Sequence, residues 1–174
     1  LSGAFSPNKI GAGTMLLTNS GNSFTGNINI SNAAATAGGI FAVTNDGALG
    51  NSANDINIGS GVSTASSTFG AFDSFTLSNG RTLNLNSATN TNNNILVAPG
   101  KTLTLATASQ IAGLAANGFQ KVDEGTLLIT ADNSSKTGAV IVAGGILQLN
   151  TNDGTGSGAI TVNTRAQLSL SGAL

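Results

Sequence analysis

Gly13-Thr14-Met15-Leu16-Leu17-Thr18 and Gly125-Thr126-Leu127-Leu128-Ile129-Thr130 are one phrase written twice. A Thr-Gly pair follows each copy, and the step from Gly13 to Gly26 is 13 residues, as is the step from Gly125 to Gly138. Each copy then enters a Gly-Ile strand start, at Gly39-Ile40-Phe41-Ala42-Val43 and at Gly145-Ile146-Leu147-Gln148-Leu149. Each closes on Asn-Asp-Gly, at Asn45 to Gly47 and at Asn152 to Gly154. Short strands recurring with Gly and Asn turns mark a solenoid, in which every repeat buries its apolar face on the next.

Between the copies lies a tighter match. Phe75-Thr76-Leu77 leads to Gly80-Arg81-Thr82-Leu83-Asn84-Leu85, and 20 residues later Ile95-Leu96-Val97 leads to Gly100-Lys101-Thr102-Leu103-Thr104-Leu105. A period of this size suits one turn of a parallel β-helix and is too short for a helix-pair repeat. Alternation within Thr-Leu-x-Leu turns one face inward and the other to water. The expectation is that Leu83, Leu85, Leu103, Leu105, Phe75, Leu77, Ile95 and Val97 point inward and stack, with Leu83 over Leu103.

Composition narrows the classes. The chain has 24 Gly yet is 40% hydrophobic, which argues for a folded β protein with turn-rich corners and against a disordered chain. A net charge of −1 without a basic cluster excludes nucleic acid as a partner, since phosphate neutralisation needs clustered cations. Absence of Cys removes disulfides, thiolate metal sites and thiol nucleophiles; absence of His removes the commonest general base and metal ligand. No cofactor is implied. No apolar run is long enough for a membrane-spanning helix, and a lipid-facing barrel would carry the Trp and Tyr girdles that this chain lacks.

Strands are expected at Met15–Leu17, Ile28–Ile30, Ile40–Val43, Ile56–Ile58, Phe75–Leu77, Leu83–Leu85, Ile95–Val97, Leu103–Leu105, Leu127–Ile129, Val140–Val142, Ile146–Leu149, Ile160–Val162 and Leu168–Leu170. Two or three per coil give six to eight coils in a single unit over residues 1–174. Asn32 to Ala37 read as a bulging loop, and residues 106–117 as either a loop or a one-turn helix.

With Gly13 to Thr18, Asn22, Phe24-Thr25-Gly26 and Gly125 to Thr130 in view, the pattern resembles the autotransporter-associated β-strand repeat of type V secreted passenger domains. The second copy departs from it, having Lys136 where the first has Phe24. This resemblance implies a right-handed parallel β-helix at the Gram-negative cell surface, exported through an outer-membrane barrel outside this chain. It implies scaffold, not a specified activity.

Candidate sites are few. Arg81 and Lys101 hold matching positions in the 20-residue repeat, so they stack one coil apart as a two-cation stripe for acidic sugars; the simpler reading is two solvated side chains, with Asp73 at the same edge. Asp55, Asp73, Asp132 and Asp153 are the carboxylates from which a glycosidase pair would have to come. One Glu and no aromatic platform argue against it, and turn chemistry accounts for these residues. Asn92 to Asn94, with Asn84 and Asn86, are candidates for stacked amide ladders. The two Asn-Asp-Gly triplets lack a calcium-binding spacing.

The functional expectation is therefore a structural or adhesive surface scaffold rather than an enzyme. The alternatives are a self-associating filament module and a polysaccharide-active β-helix enzyme. Expected partners are the chain's own barrel, neighbouring copies, and host or cell-surface glycans. The matching ends, Leu1-Ser2-Gly3-Ala4 and Leu170-Ser171-Gly172-Ala173, read as one tile of a longer passenger or tandem array.

Overall fold

The computed structural model describes residues 1–31, 39–60 and 65–172. The first coil runs through β1 (Ser2–Gly3), β2 (Asn8–Lys9), β3 (Thr14–Leu17) and β4 (Ser23–Phe24), followed by β5 (Ile28–Ser31) and β6 (Ile40–Val43). Then come β7 (Ile56–Ser60), β8 (Ser67–Ala71), β9 (Phe75–Thr76), β10 (Leu83–Leu85), β11 (Asn93–Val97), β12 (Thr102–Leu105) and β13 (Ile111–Gly113). The last are β14 (Phe119–Val122), β15 (Thr126–Ile129), β16 (Val140–Val142), β17 (Gly145–Leu149), β18 (Ile160–Val162) and β19 (Ala166–Leu170).

These strands stack into three all-parallel sheets. Sheet I is β2-β5-β7-β10-β13, sheet II is β3-β6-β8-β11-β14-β16-β18, and sheet III is β9-β12-β15-β17-β19; β1 and β4 pair separately. The chain visits the sheets in turn, so each neighbour in a sheet comes from the next coil: a parallel β-helix. The seven strands of sheet II count the coils, and at ~4.8 Å per strand they span roughly 30 Å.

Alternate residues on each strand close the interior. Ile28, Ile56, Leu83 and Ile111 form one column on sheet I. Leu103, Leu127, Leu147 and Leu168 form another on sheet III. The first three of each column are fully buried, and each buried Leu or Ile contributes ~1.5–3 kcal/mol by leaving water. On sheet II the column Phe41, Phe69, Ile95 is interrupted by Lys121 before Val142.

The 20-residue period is corrected. Thr14 pairs with Ile40, Ile40 with Thr68, Thr68 with Asn94 and Asn94 with Gln120, so the early coils take 26 or 28 residues. Only the last two steps, Gln120 to Ile141 and Ile141 to Thr161, shorten to 21 and 20. Leu83 stacks on Ile56 and Ile111 in sheet I, whereas Leu103 stacks on Phe75 and Leu127 in sheet III. Both are inside, on different sheets; the matching phrases are successive sides of the helix, not successive coils. Residues 106–117 are neither plain loop nor helix, because Ile111–Gly113 form β13 on the edge of sheet I. The loop expected at Asn32 to Ala37 lies outside the described residues.

The longer repeat does measure one coil, with a rotation. In the first copy Thr14 pairs with Ile40, within sheet II. In the second Thr126 pairs with Ile146, within sheet III. The same phrase thus starts from a different side of the prism, so what it specifies is a corner followed by a strand, not a face.

Candidate functional site

Polar side chains in this chain go chiefly to the corners, where the backbone leaves a sheet and its carbonyls lose their ladder partners. Arg81 is 1% exposed. Its Nε donates to Asp46 Oδ1 at 3.0 Å, Nη1 to the carbonyls of Leu49 (3.2 Å) and Asn54 (3.1 Å), and Nη2 to those of Gly50 (2.7 Å) and Asp46 (3.4 Å). Asp46 also accepts from the Ser78 backbone N–H at 2.9 Å and from the Ser78 hydroxyl. Burial pulls the Arg81 guanidinium below its usual range, opposed by the Asp46 charge.

Three lysines do similar work. Lys9 Nζ donates to the carbonyls of Ile10 (3.2 Å), Gly11 (2.6 Å) and Ala12 (3.4 Å). Lys121 Nζ donates to Val122 (3.1 Å), Asp123 and Gly144 (3.1 Å). Lys136 Nζ donates to Ala112 (3.3 Å) and Leu114. Desolvation lowers Lys136 and brings Lys121 down to about 8, the latter against the attraction of Asp123. Lys9 and Lys121 stand four residues before the Gly-Thr of each copy, followed two positions on by a residue with positive φ (Gly11 at 71°, Asp123 at 66°). That lysine is part of the repeat, and its signal was present in the sequence.

The stripe expected of Arg81 and Lys101 does not form. Arg81 leads into β10 on sheet I and turns inward; Lys101 leads into β12 on sheet III and stays outside. Lys101 Nζ instead meets Asp73 Oδ1 at 2.8 Å, with both side chains well exposed. The hydrogen bond from Lys101, then that from the Ser74 N–H, lowers the Asp73 carboxyl.

The four carboxylates are distributed among the corners. Asp55 accepts from the N–H (2.9 Å) and hydroxyl (2.8 Å) of Thr82 on sheet I. Asp132 turns back on Ser134, in the bend after β15. Asp153 sits one coil on, where its carbonyl accepts from Asn133 N–H at 2.8 Å. Both side chains face solvent. Among the described residues no three His, Cys, Asp or Glu side chains converge.

An amide ladder does exist, at other residues than those expected. Asn29 Nδ2 donates to Asn8 Oδ1 (2.9 Å), Asn57 to Asn29 (2.8 Å) and Asn84 to Asn57 (2.9 Å), up the outer face of sheet I. Of the expected set only Asn84 belongs to it. Asn93 points inward and holds the carbonyls of Ser87 (2.8 Å) and Gly118 (2.9 Å), while Asn94 lies on sheet II. The overlooked signal was the word Ile28-Asn29-Ile30, repeated as Ile56-Asn57-Ile58 and Leu83-Asn84-Leu85.

No family model, curated protein or solved structure matches this chain.

Proposed function

We propose that this chain is an extracellular β-helical scaffold, a segment of a passenger of the type V secreted kind, which holds other modules away from a bacterial surface. The observation that carries this reading is the use made of its polar groups. Arg81, Lys9, Lys121 and Lys136, together with the buried amides of Asn54, Asn93, Asn117 and Asn133, bond to backbone carbonyls at the bends. Side chains so engaged hold a rod in shape and are withdrawn from chemistry on a substrate. The doubled Gly-Thr-x-Leu phrase supports the secreted family, and the lack of Cys suits export of an unfolded chain.

The test is to place residues 1–174 between an export signal and a type V outer-membrane barrel in a Gram-negative host. The expected outcome is display of folded protein, cleavable by protease added to intact cells. Retention in the periplasm would overturn the surface reading. Polysaccharide turnover by the isolated chain, lost in Asp73→Ala or Asp132→Ala, would overturn the scaffold reading separately.

A further inference from the structure

The chain contains two Asn-Gly dipeptides, Asn79-Gly80 and Asn117-Gly118, in opposite environments. Asn79 and Gly80 are both exposed, at the middle of a turn closed by Arg81 N–H to the Ser78 carbonyl at 3.1 Å. The Asn79 amide has no hydrogen-bond partner among the described residues. Asn117 is 3% exposed, with Nδ2 fixed on the Leu85 carbonyl at 2.7 Å and its N–H on the Leu114 carbonyl at 3.0 Å.

We propose that Asn79 is a site of spontaneous deamidation, and that the fold shields Asn117 from the same reaction. The Gly80 backbone nitrogen attacks Asn79 Cγ and gives up its proton to water or hydroxide; the new C–N bond closes a five-membered imide as the Cγ–Nδ2 bond breaks and ammonia leaves. Water then opens the imide at either carbonyl, giving aspartate or isoaspartate, so the sum is amide plus water to acid plus ammonia. Gly80 favours the attack because it has no side chain over the nitrogen. At Asn117 the amide is held on Leu85 and water is excluded, so reaction waits on local opening.

The position gives the reaction a consequence. Ser78 and Arg81 flank the dipeptide, and both grip Asp46. Isoaspartate reroutes the main chain through Cγ and adds one methylene between these two anchors. Aspartate at the same place leaves the chain length unchanged.

The test holds the native chain at mildly alkaline pH and follows both dipeptides by peptide mapping and by isoaspartyl methylation. Asn79 is expected to convert on the order of a hundredfold faster than Asn117, and the two rates are expected to converge in denaturant. The isoaspartyl form is expected to melt below the unmodified chain, with Asn79→Asp melting close to it. A native Asn79 that stays intact while reacting in denaturant, or an Asn117 that keeps pace with it in the native chain, would overturn the proposal.

Discussion

The two copies of the Gly-Thr-x-Leu repeat build the same coil with different interiors. Where the first copy places Phe24, fully buried and 5.3 Å from the Phe5 ring centre, the second places Lys136, 2% exposed with its ammonium on two carbonyls. The loss of an aromatic at that corner leaves no gap. A lysine stem fills apolar space much as a ring edge does, provided its charged head finds acceptors. The triplets differ as well: Asn45 caps a short 3-10 turn through the Ala48 N–H at 2.9 Å and Asp46 is clamped by Arg81, whereas Asp153 is exposed. A corner in this fold needs its carbonyls satisfied and its inner space filled, and it accepts more than one way of doing so.

That view breaks most decisively at Arg81. Arg81→Ala leaves Asp46 and four carbonyls without their donor and is expected to destabilise by about 3–5 kcal/mol, whereas Asp153→Asn, in the other copy, should stay within about 0.5 kcal/mol; chemical denaturation of the two variants checks both. Next comes the exchanged pair. Phe24→Ala is expected to lose about 3–5 kcal/mol through the cavity it leaves, and Lys136→Met only about 1–3 kcal/mol, from unpaired carbonyls. Equal losses in urea melts would mean that the lysine contributes through more than carbonyl contact.

Lys9 and Lys121 offer a comparison by titration. The folded-state value of Lys121, about 8, lies below the ~10.4 of an unfolded lysine. Between those limits the unfolded chain binds more protons, so this group's contribution to stability rises as pH climbs through the window and is flat below it. Lys136 shifts the same way. No Cys or Tyr titrates in this range, so wild type should gain stability relative to Lys121→Met between neutral pH and about pH 10; parallel curves would refute the assignment. The smallest effect is expected at the exposed Lys101–Asp73 pair, where Lys101→Ala should change stability by less than about 1 kcal/mol, and less still at high salt.

Strand positions were legible because apolar alternation is a local signal. Every expected strand from Met15–Leu17 to Leu168–Leu170 falls on or within a residue of an observed one. The period was harder, because Phe75 to Leu85 and Ile95 to Leu105 resemble each other as strand-and-turn words, while only pairing decides whether two words share a sheet. The recurrence of Ile-Asn-Ile carried the true spacing, since an outward Asn between two inward aliphatics is specific to sheet I. Strand β8, Ser67–Ala71, gave no such cue: its Ser-Thr-Phe-Gly-Ala is small and polar, and it is held by neighbours on both sides. At Arg81 the sequence showed a cation after a glycine, as at Lys101. What separates them is the carbonyl array that the fold gathers around one of them, which no local pattern records.

The inward turn of four cations also alters how the rod looks from outside. With Arg81 matched to Asp46, and Lys9, Lys121 and Lys136 withdrawn, the exterior retains Lys101 and Arg165 against Asp55, Asp73, Asp123, Glu124, Asp132 and Asp153. A chain of formal charge −1 therefore wears an anionic sheath. Two such rods lying side by side repel each other within a Debye length, ~8 Å at physiological ionic strength, and polyanions such as acidic glycans meet the same barrier, while cations in the medium collect along the shaft.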